Sequence, residues 1–348
     1  MKNFIITLNG YGLLLKELFR SKPLFEYADK SNFQNLSEKG RWGYIHLGKT
    51  LEKSYFNLFA NETDFPGEAF LRSLVSKKLP DGLKTFFLAE FLTHIEGKVI
   101  ETDLIFSDKE LNQLLMTVSE DKTGFSYDIC DGKVVVGYKE RFPSKSMVFP
   151  PSLKNRKFKD YLYKEKEFKK INNLILKSST TLYEHPINQI RLDLGEPIGN
   201  LFWLWGMGEK KDVYQFSERM ERKSFFISFN DDLQGVPEYL GFEKIPEISF
   251  YEDDSILWIN NSLDINQERS LWVKSFEKFD SEVLGYVRSL CSNDDYRILF
   301  IFDSFSQQNR VLTNQWGVYC FMTNVSPKPL RFRKHIKNGK MFIEKFFI

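Results

Sequence analysis

The residues of this chain that could do chemistry are few and unevenly placed. A short apolar run, Phe4 to Leu8, ends in Asn9-Gly10. That pattern reads as a buried parallel strand closing in a tight turn, the position at which α/β sheets present their reactive groups. The densest grouping is residues 184–208, EHPINQIRLDLGEPIGNLFWLWGMG. Arg191 there offers a planar donor fork suited to a phosphate or a carboxylate, while His185 and Asn188 either help hold such an anion or tie the loop together. The four histidines, His46, His94, His185 and His335, are scattered. The three cysteines, Cys130, Cys291 and Cys320, are odd in number and lack C-x-x-C spacing. They suggest neither a disulfide framework nor a zinc knuckle and fit a reducing cytoplasm.

These residues need a scaffold, and 348 residues with 42% hydrophobic and 28% charged side chains suffice for a large core with no disordered tract. A net charge of +2, from 49 basic and 47 acidic residues, argues against a nucleic-acid binder. The apolar run near the N-terminus is too short for a signal core or a membrane span. Residues 31–40 read as a helix capped by Gly40, with a return strand near Trp42 to Ile45. Hairpins are expected around Glu96-Gly97-Lys98 and Asp131-Gly132, with a short capped helix, SDKELNQLLMTVSE, between them. Residues 154–170 carry eight bases against three acids and read as an exposed helix running into INNLILKSSTTLYEHP, solvated rather than phosphate-binding. Beyond residue 222, SFFISF, a helix near Leu233 to Leu240, EISFY, SILWIN, a long helix around Trp272 to Leu290, RILFIFD and GVYCFM alternate as strand and helix, hence a mostly parallel sheet. The basic, aromatic C-terminal stretch reads as a surface tail.

Residues 184–208, with the opening FIITLNGYG, resemble the cofactor-independent phosphoglycerate mutases of the archaeal type, members of the alkaline phosphatase superfamily. His185-Pro186-Ile187-Asn188, Arg191, Gly195, Pro197, Asn200, Gly206 and Gly208 repeat that family's HPIN, Arg, GxP, Asn and GxG spacing, and residues 16–43 match its first helical run. The resemblance implies a first strand ending in a metal-binding Asp, where this chain has Asn9. It implies a nucleophilic Ser in a loop that falls near Gly48 to Leu51, where Thr50 is the available hydroxyl or an ordinary turn residue. It places Asp264 and Asp303 at the two later metal-binding Asp positions, with Glu268 and Ser304 where the family has His. Asp264 and Asp303 serve equally well as a helix cap and a strand-end turn residue. Trp203, Trp205 and Met207 stand where the family meets a charged substrate group.

The expected fold is therefore α/β: an alkaline-phosphatase-like, mostly parallel sheet with helices on both faces, formed by residues 1–83 and 151–348, plus a smaller inserted α+β subdomain over 84–150. The expected function is that of a phosphoglycerate-mutase-like protein that has lost most of its two-metal site and binds or regulates without catalysis. The alternative is a divergent metal-dependent mutase or phosphoesterase that uses Thr50 and one residual metal. Arg191, His185 and Asn188 would bind substrate, and Asp264, Glu268, Asp303 and Asn9 would form a vestigial metal site. No cofactor is expected, or at most one Mg²⁺ or Mn²⁺. The expected ligand is a small anionic or phosphorylated molecule, with no nucleic acid and no membrane span, and a protein partner engaging the basic stretch and the tail is the third reading.

Overall fold

The computed structural model describes residues 2–9, 41–48, 65–102, 104–119, 124–130, 132–143, 148–212, 222–229, 235–250, 255–262, 274–275, 277–290, 296–303 and 316–322, with isolated positions between them. The expected helix over 31–40, Thr50, Asp264, Glu268 and the C-terminal tail lie outside the described residues. In chain order the elements begin with strands β1 (Lys2–Asn9) and β2 (Arg41–Gly48). Helix α1 (Glu68–Ser73), β3 (Thr85–Ile95), β4 (Lys98–Glu101), helix α2 (Asp108–Ser119), β5 (Phe125–Cys130) and β6 (Lys133–Tyr138) come next. Helices α3 (Lys169–Thr181) and α4 (Pro186–Asp193) lead into β7 (Leu201–Glu209). The chain continues through β8 (Ser224–Ser228), α5 (Gly235–Tyr239), β9 (Glu243–Lys244), β10 (Ile256–Ser262), α6 (Gly285–Leu290), β11 (Tyr296–Asp303) and β12 (Trp316–Met322).

Two compact units result, one from Met1–Phe65 with Val213–Ile348 and one from Pro66–Asp212. The first is built on a seven-stranded sheet ordered β2-β12-β11-β1-β10-β8-β9. Strand β1 lies between β10 and β11 and runs parallel to both, β8 and β9 continue the parallel run, and β12 and β2 close the other edge antiparallel. Phe4, Ile5 and Ile6 of β1 and Ile256 through Ile259 of β10 are all buried. A strand covered on both faces needs such an unbroken apolar run rather than alternation, which is why these segments form the sheet's centre. Two expectations change here. EISFY forms no strand but a 3₁₀ turn, Ile248–Phe250, and the two-residue β9 just before it supplies the sheet edge. The long helix expected around Trp272 to Leu290 contains a π-helical turn, Asp280–Leu284, before α6.

The second unit is an antiparallel sheet, β4-β3-β6-β5, with β7 also paired to β3. Both expected hairpins form: Glu96 and Gly97 turn β3 into β4 at φ 51° and 80°, and Gly132, at φ 69°, leads into β6, which pairs antiparallel with β5. Helix α2 opens on the expected capping box, in which the Ser107 amide and hydroxyl both donate to Glu110 Oε2 at 2.8 Å. Helix α3 buries Ile171, Leu174, Ile175 and Ser178, one face at helical spacing. The expected insert 84–150 falls inside this unit, whose limits are wider because β7, from residues 201–209, pairs along β3 from Thr85 to Leu92. Residues 154–168 are not the expected helix. Asn155 sits at φ 67°, and the backbone instead covers the open edge of β4, with Val99 N–H donating to the Arg156 carbonyl and Asn155 N–H to the Val99 carbonyl. Phe158 and Phe168 are buried beneath this strap, and α-helical geometry begins only at Lys169.

Candidate functional site

The strand ends on which the sequence places its candidate ligands belong to the first unit. Asn9 stands opposite Ser262, the last residue of β10. Leu8 stands opposite Phe302, so Asn9 and Asp303 close neighbouring strands at the carboxyl edge of the sheet. Two register positions below this edge lies a buried polar ladder. Thr7 Oγ1 donates to Asn260 Oδ1 at 2.7 Å and accepts from Trp258 Nε1 at 3.0 Å, while Asn260 Nδ2 donates to Ser228 Oγ at 3.1 Å. The ladder spans β1, β10 and β8 and joins hydroxyl, amide and indole groups. Buried polar atoms in an apolar sheet must be paired in this way, and a neutral set needs no counter-ion. Sequence reasoning passed over it, although Thr7 in FIITL and Asn260 in SILWINNS are polar interruptions of otherwise buried runs.

The described residues of this edge supply one carboxylate, Asp303, and one strand-end amide, Asn9. Among the described residues no group of three or more His, Cys, Asp or Glu is arranged to hold a metal. Asp264 follows β10 by two positions and, with Glu268 and Thr50, lies outside the described residues.

Arg191, His185 and Asn188 come together on α4 in the second unit. His185 caps the helix, its Nδ1 accepting from Ile187 N–H at 3.2 Å, with Pro186 at the first helical position. Burial holds the His185 imidazole below its ordinary pKa. Asn188 is fully buried. Its Nδ2 donates to the Leu182 and Gly199 carbonyls at 2.7 and 3.0 Å, and its Oδ1 accepts from Gly199 N–H at 3.0 Å. Arg191 donates through Nε to the Pro197 carbonyl at 2.8 Å and reaches Glu110 with Nη1 at 3.3 Å and Glu196 with Nη2 at 3.5 Å. Its guanidinium lies over the Phe106 ring at 4.6 Å. The Ser107 amide, more than Arg191, holds the Glu110 carboxyl below its usual range. All three side chains thus direct polar atoms to the chain itself, and the Arg191 fork already meets two carboxylates.

The glycines and tryptophans of the same stretch are packing devices as well. A Cβ on Gly208 would stand 2.7 Å from the Phe70 amide nitrogen and 2.8 Å from the Pro66 carbonyl, and one on Gly67 would run into the Met207 carbonyl. The segment entering α1 therefore lies directly on the backbone of β7, which only glycine permits. Trp203 Nε1 donates to the Val148 carbonyl at 3.0 Å, whereas Trp205 packs edge-on against Phe149 with its Nε1 buried and unpaired. Asn200 grips the β3 backbone at both amide ends, accepting from His94 N–H at 2.8 Å and donating to the His94 carbonyl at 2.9 Å.

No protein-family model matches the chain. In sequence it is similar to the 2,3-bisphosphoglycerate-independent phosphoglycerate mutase of Methanosarcina barkeri, 33% identical over 96 residues, which are 28% of this chain and 24% of the relative. It is also similar to phosphoglycerate mutase 2 of the same 2,3-bisphosphoglycerate-independent class from Methanothermobacter thermautotrophicus, 33% identical over 75 residues, 22% of this chain and 19% of the relative. The chain spans about a quarter or less of the length of these curated relatives. In fold it is similar to the PH0037 protein from Pyrococcus horikoshii, with TM-score 0.60 and 17% identity over 92% of this chain and 87% of that one. The cofactor-independent phosphoglycerate mutase of Thermoplasma acidophilum superimposes with TM-score 0.50 and 15% identity over 93% of this chain and 90% of the other. The chain is thus a distant, phosphoglycerate-mutase-like relative of the archaeal cofactor-independent enzymes, alike in sequence over part of its length and in fold over most of it.

Proposed function

We propose that this protein is a phosphoglycerate-mutase-like paralogue that binds a small phosphorylated or otherwise anionic ligand without transferring a phosphoryl group. The observation that carries this reading is the composition of the sheet's carboxyl edge. The central strand ends in the neutral Asn9, and the buried ladder beneath it is uncharged. Phosphoryl transfer assisted by two metals depends on a cluster of anionic and imidazole ligands that neutralise and orient the moving group. The partial likeness to enzymes named as mutases supports a phosphorylated ligand. No helix among the described residues is long and apolar enough to cross a membrane, and we place the protein in the cytoplasm on its cysteine usage.

Asp303, closing β11 beside Asn9, favours one other reading: a single residual metal on Asp264, Glu268 and Asp303, with Thr50 as nucleophile in a mutase or phosphoesterase. The deciding experiment measures metal content of the purified protein after Mg²⁺ and Mn²⁺ addition, together with conversion of 3-phosphoglycerate to 2-phosphoglycerate. Absence of both stoichiometric metal and turnover is expected. Bound metal with turnover that Asp303→Ala abolishes would establish the enzyme instead.

A further inference from the structure

Helix α4 directs apolar side chains away from the core. Asn188 marks the inward side, being fully buried. On the opposite side, Ile187, Ile190 and Leu194 recur at the alternating spacing of three and four that places residues on one helical stripe, and Tyr183 lies in the turn before the helix. Tyr183 is 51% exposed, Ile190 59% and Leu194 68%, with Ile187 half-buried. Ile105, 84% exposed, directly precedes the Phe106 ring on which Arg191 rests. A stripe of this kind ordinarily faces a helix's own core, and a contiguous apolar patch left outside marks a place where another molecule sits.

Charge selects the occupant. Residues 183–196 carry Glu184, Asp193 and Glu196 against the single Arg191, whose guanidinium also serves Glu110. Glu184 and Asp193 are exposed and form no ion pair among the described residues. A second copy joined through this face by a two-fold axis would bring like carboxylates together, and an anionic lipid surface would be repelled. We propose that the outer face of α4 is a docking surface for a basic amphipathic helix of a partner protein, whose apolar stripe covers Ile190 and Leu194 while its Lys or Arg flanks meet Glu184 and Asp193. The mode is that of helix-on-helix recognition through anchors at helical spacing. Asn188 and Arg191 serve it by fixing α4 in place, so that little ordering remains to be done on association. This surface is independent of any ligand at the sheet edge.

The test titrates the full-length protein against a fluorescein-labelled Leu/Lys amphipathic helix of about 18 residues, long enough to hold helical structure, and reads anisotropy at low and high salt. Saturable binding is expected. It should weaken at least about tenfold in Ile190→Asp/Leu194→Asp, and also in Glu184→Lys/Asp193→Lys, which leaves the apolar stripe intact and guards against a folding artefact. The matching Leu/Glu helix should bind more weakly than the Leu/Lys one. No binding, binding indifferent to both pairs of substitutions, equal binding of the acidic helix, or a concentration-dependent dimer that Ile190→Asp dissociates would each overturn the proposal.

Discussion

The segment around α4 and the carboxyl edge of the seven-stranded sheet carry the residues that invite a functional reading, and they treat those residues in opposite ways. Around α4, Asn188, Arg191, Asn200, Gly67 and Gly208 are each fixed by a backbone partner or a backbone clash. At the sheet edge, Asn9, Ser262 and Asp303 occupy strand ends where chemistry would be presented, above a ladder whose members satisfy one another. A backbone staple fixes residue identity through geometry, whatever the protein does, because Gly or Asn at such a point has few substitutes. A strand-end ligand is fixed only while the reaction is needed.

The largest break in this comparison should come from Gly208→Val. Its Cβ would meet the Phe70 nitrogen and the Pro66 carbonyl, both backbone atoms that cannot rotate away. A loss of at least about 3 kcal/mol is expected, lowering the thermal midpoint by on the order of 10 °C. A midpoint within a degree or two of wild type would mean that β7 and the start of α1 are not in contact.

Asn188→Ala against Thr7→Val compares the two regions directly. Removing the Asn188 amide takes the partner from Gly199 N–H and the Gly199 carbonyl in a buried site and leaves the Leu182 carbonyl with His185 N–H alone, and a cost of about 3 kcal/mol follows. Thr7→Val keeps the side-chain shape but removes the hydroxyl that accepts from the buried Trp258 Nε1 and donates to Asn260 Oδ1, while Asn260 retains Ser228 and further contacts. About 2 kcal/mol is expected there. Urea unfolding of both variants checks the order, and a larger loss for Thr7→Val would make the ladder, rather than the staple, the more constrained element.

Legibility in the sequence follows the same division. The central strands were readable because burial on both faces demands unbroken apolar runs, as in FIITL and SILWIN. The hairpins were readable because Glu96-Gly97 and Asp131-Gly132 carry the required turn chemistry. The strap over 154–168 was not, since its composition suits an exposed helix, whereas it meets the open edge of β4 at Asn155 and Arg156 and then folds into two 3₁₀ turns, Phe158–Tyr161 and Lys166–Phe168. Likewise HPIN and GxG were legible as a pattern but not as a role. Whether Asn188 faces a ligand or the Gly199 backbone depends on how a chain eleven residues further on folds back.

Acid should affect the second unit through His94. Burial is the chief cause of its lowered pKa, the positive charge of Lys159 adds to it, and the Ser179 backbone offsets part of it. Nδ1 accepts from Gly97 N–H at 3.3 Å, so the neutral ring carries its proton on the buried Nε2. The folded form binds its proton less readily than the unfolded form. The resulting stability is complete above the ordinary histidine value, near 6.5, and is lost as pH falls below it through the folded value. His185 is lowered by burial too and acts with the same sign. Amide exchange in residues 94–101 and 155–158 should therefore quicken between neutral pH and about pH 5, after correction for intrinsic rates. His94→Asn, which keeps an acceptor for Gly97, should remove His94's share; unchanged acid sensitivity in that variant would assign the effect to His185 alone.

The smallest expected effect bears most closely on the comparison. Arg191 would be an anion clamp if its fork were open, yet its Nε and both Nη groups have protein acceptors, and its side chain is largely buried against Phe106. Lysine keeps the charge but lacks the fork that reaches Pro197, Glu110 and Glu196 at once. Arg191→Lys should cost about 1 kcal/mol. Inorganic phosphate should shift the thermal midpoint of wild type and variant equally, because the Arg191 fork is already taken up by Pro197, Glu110 and Glu196. A phosphate-dependent rise that disappears in Arg191→Lys would show an anion at α4 and reverse the roles assigned to the two regions.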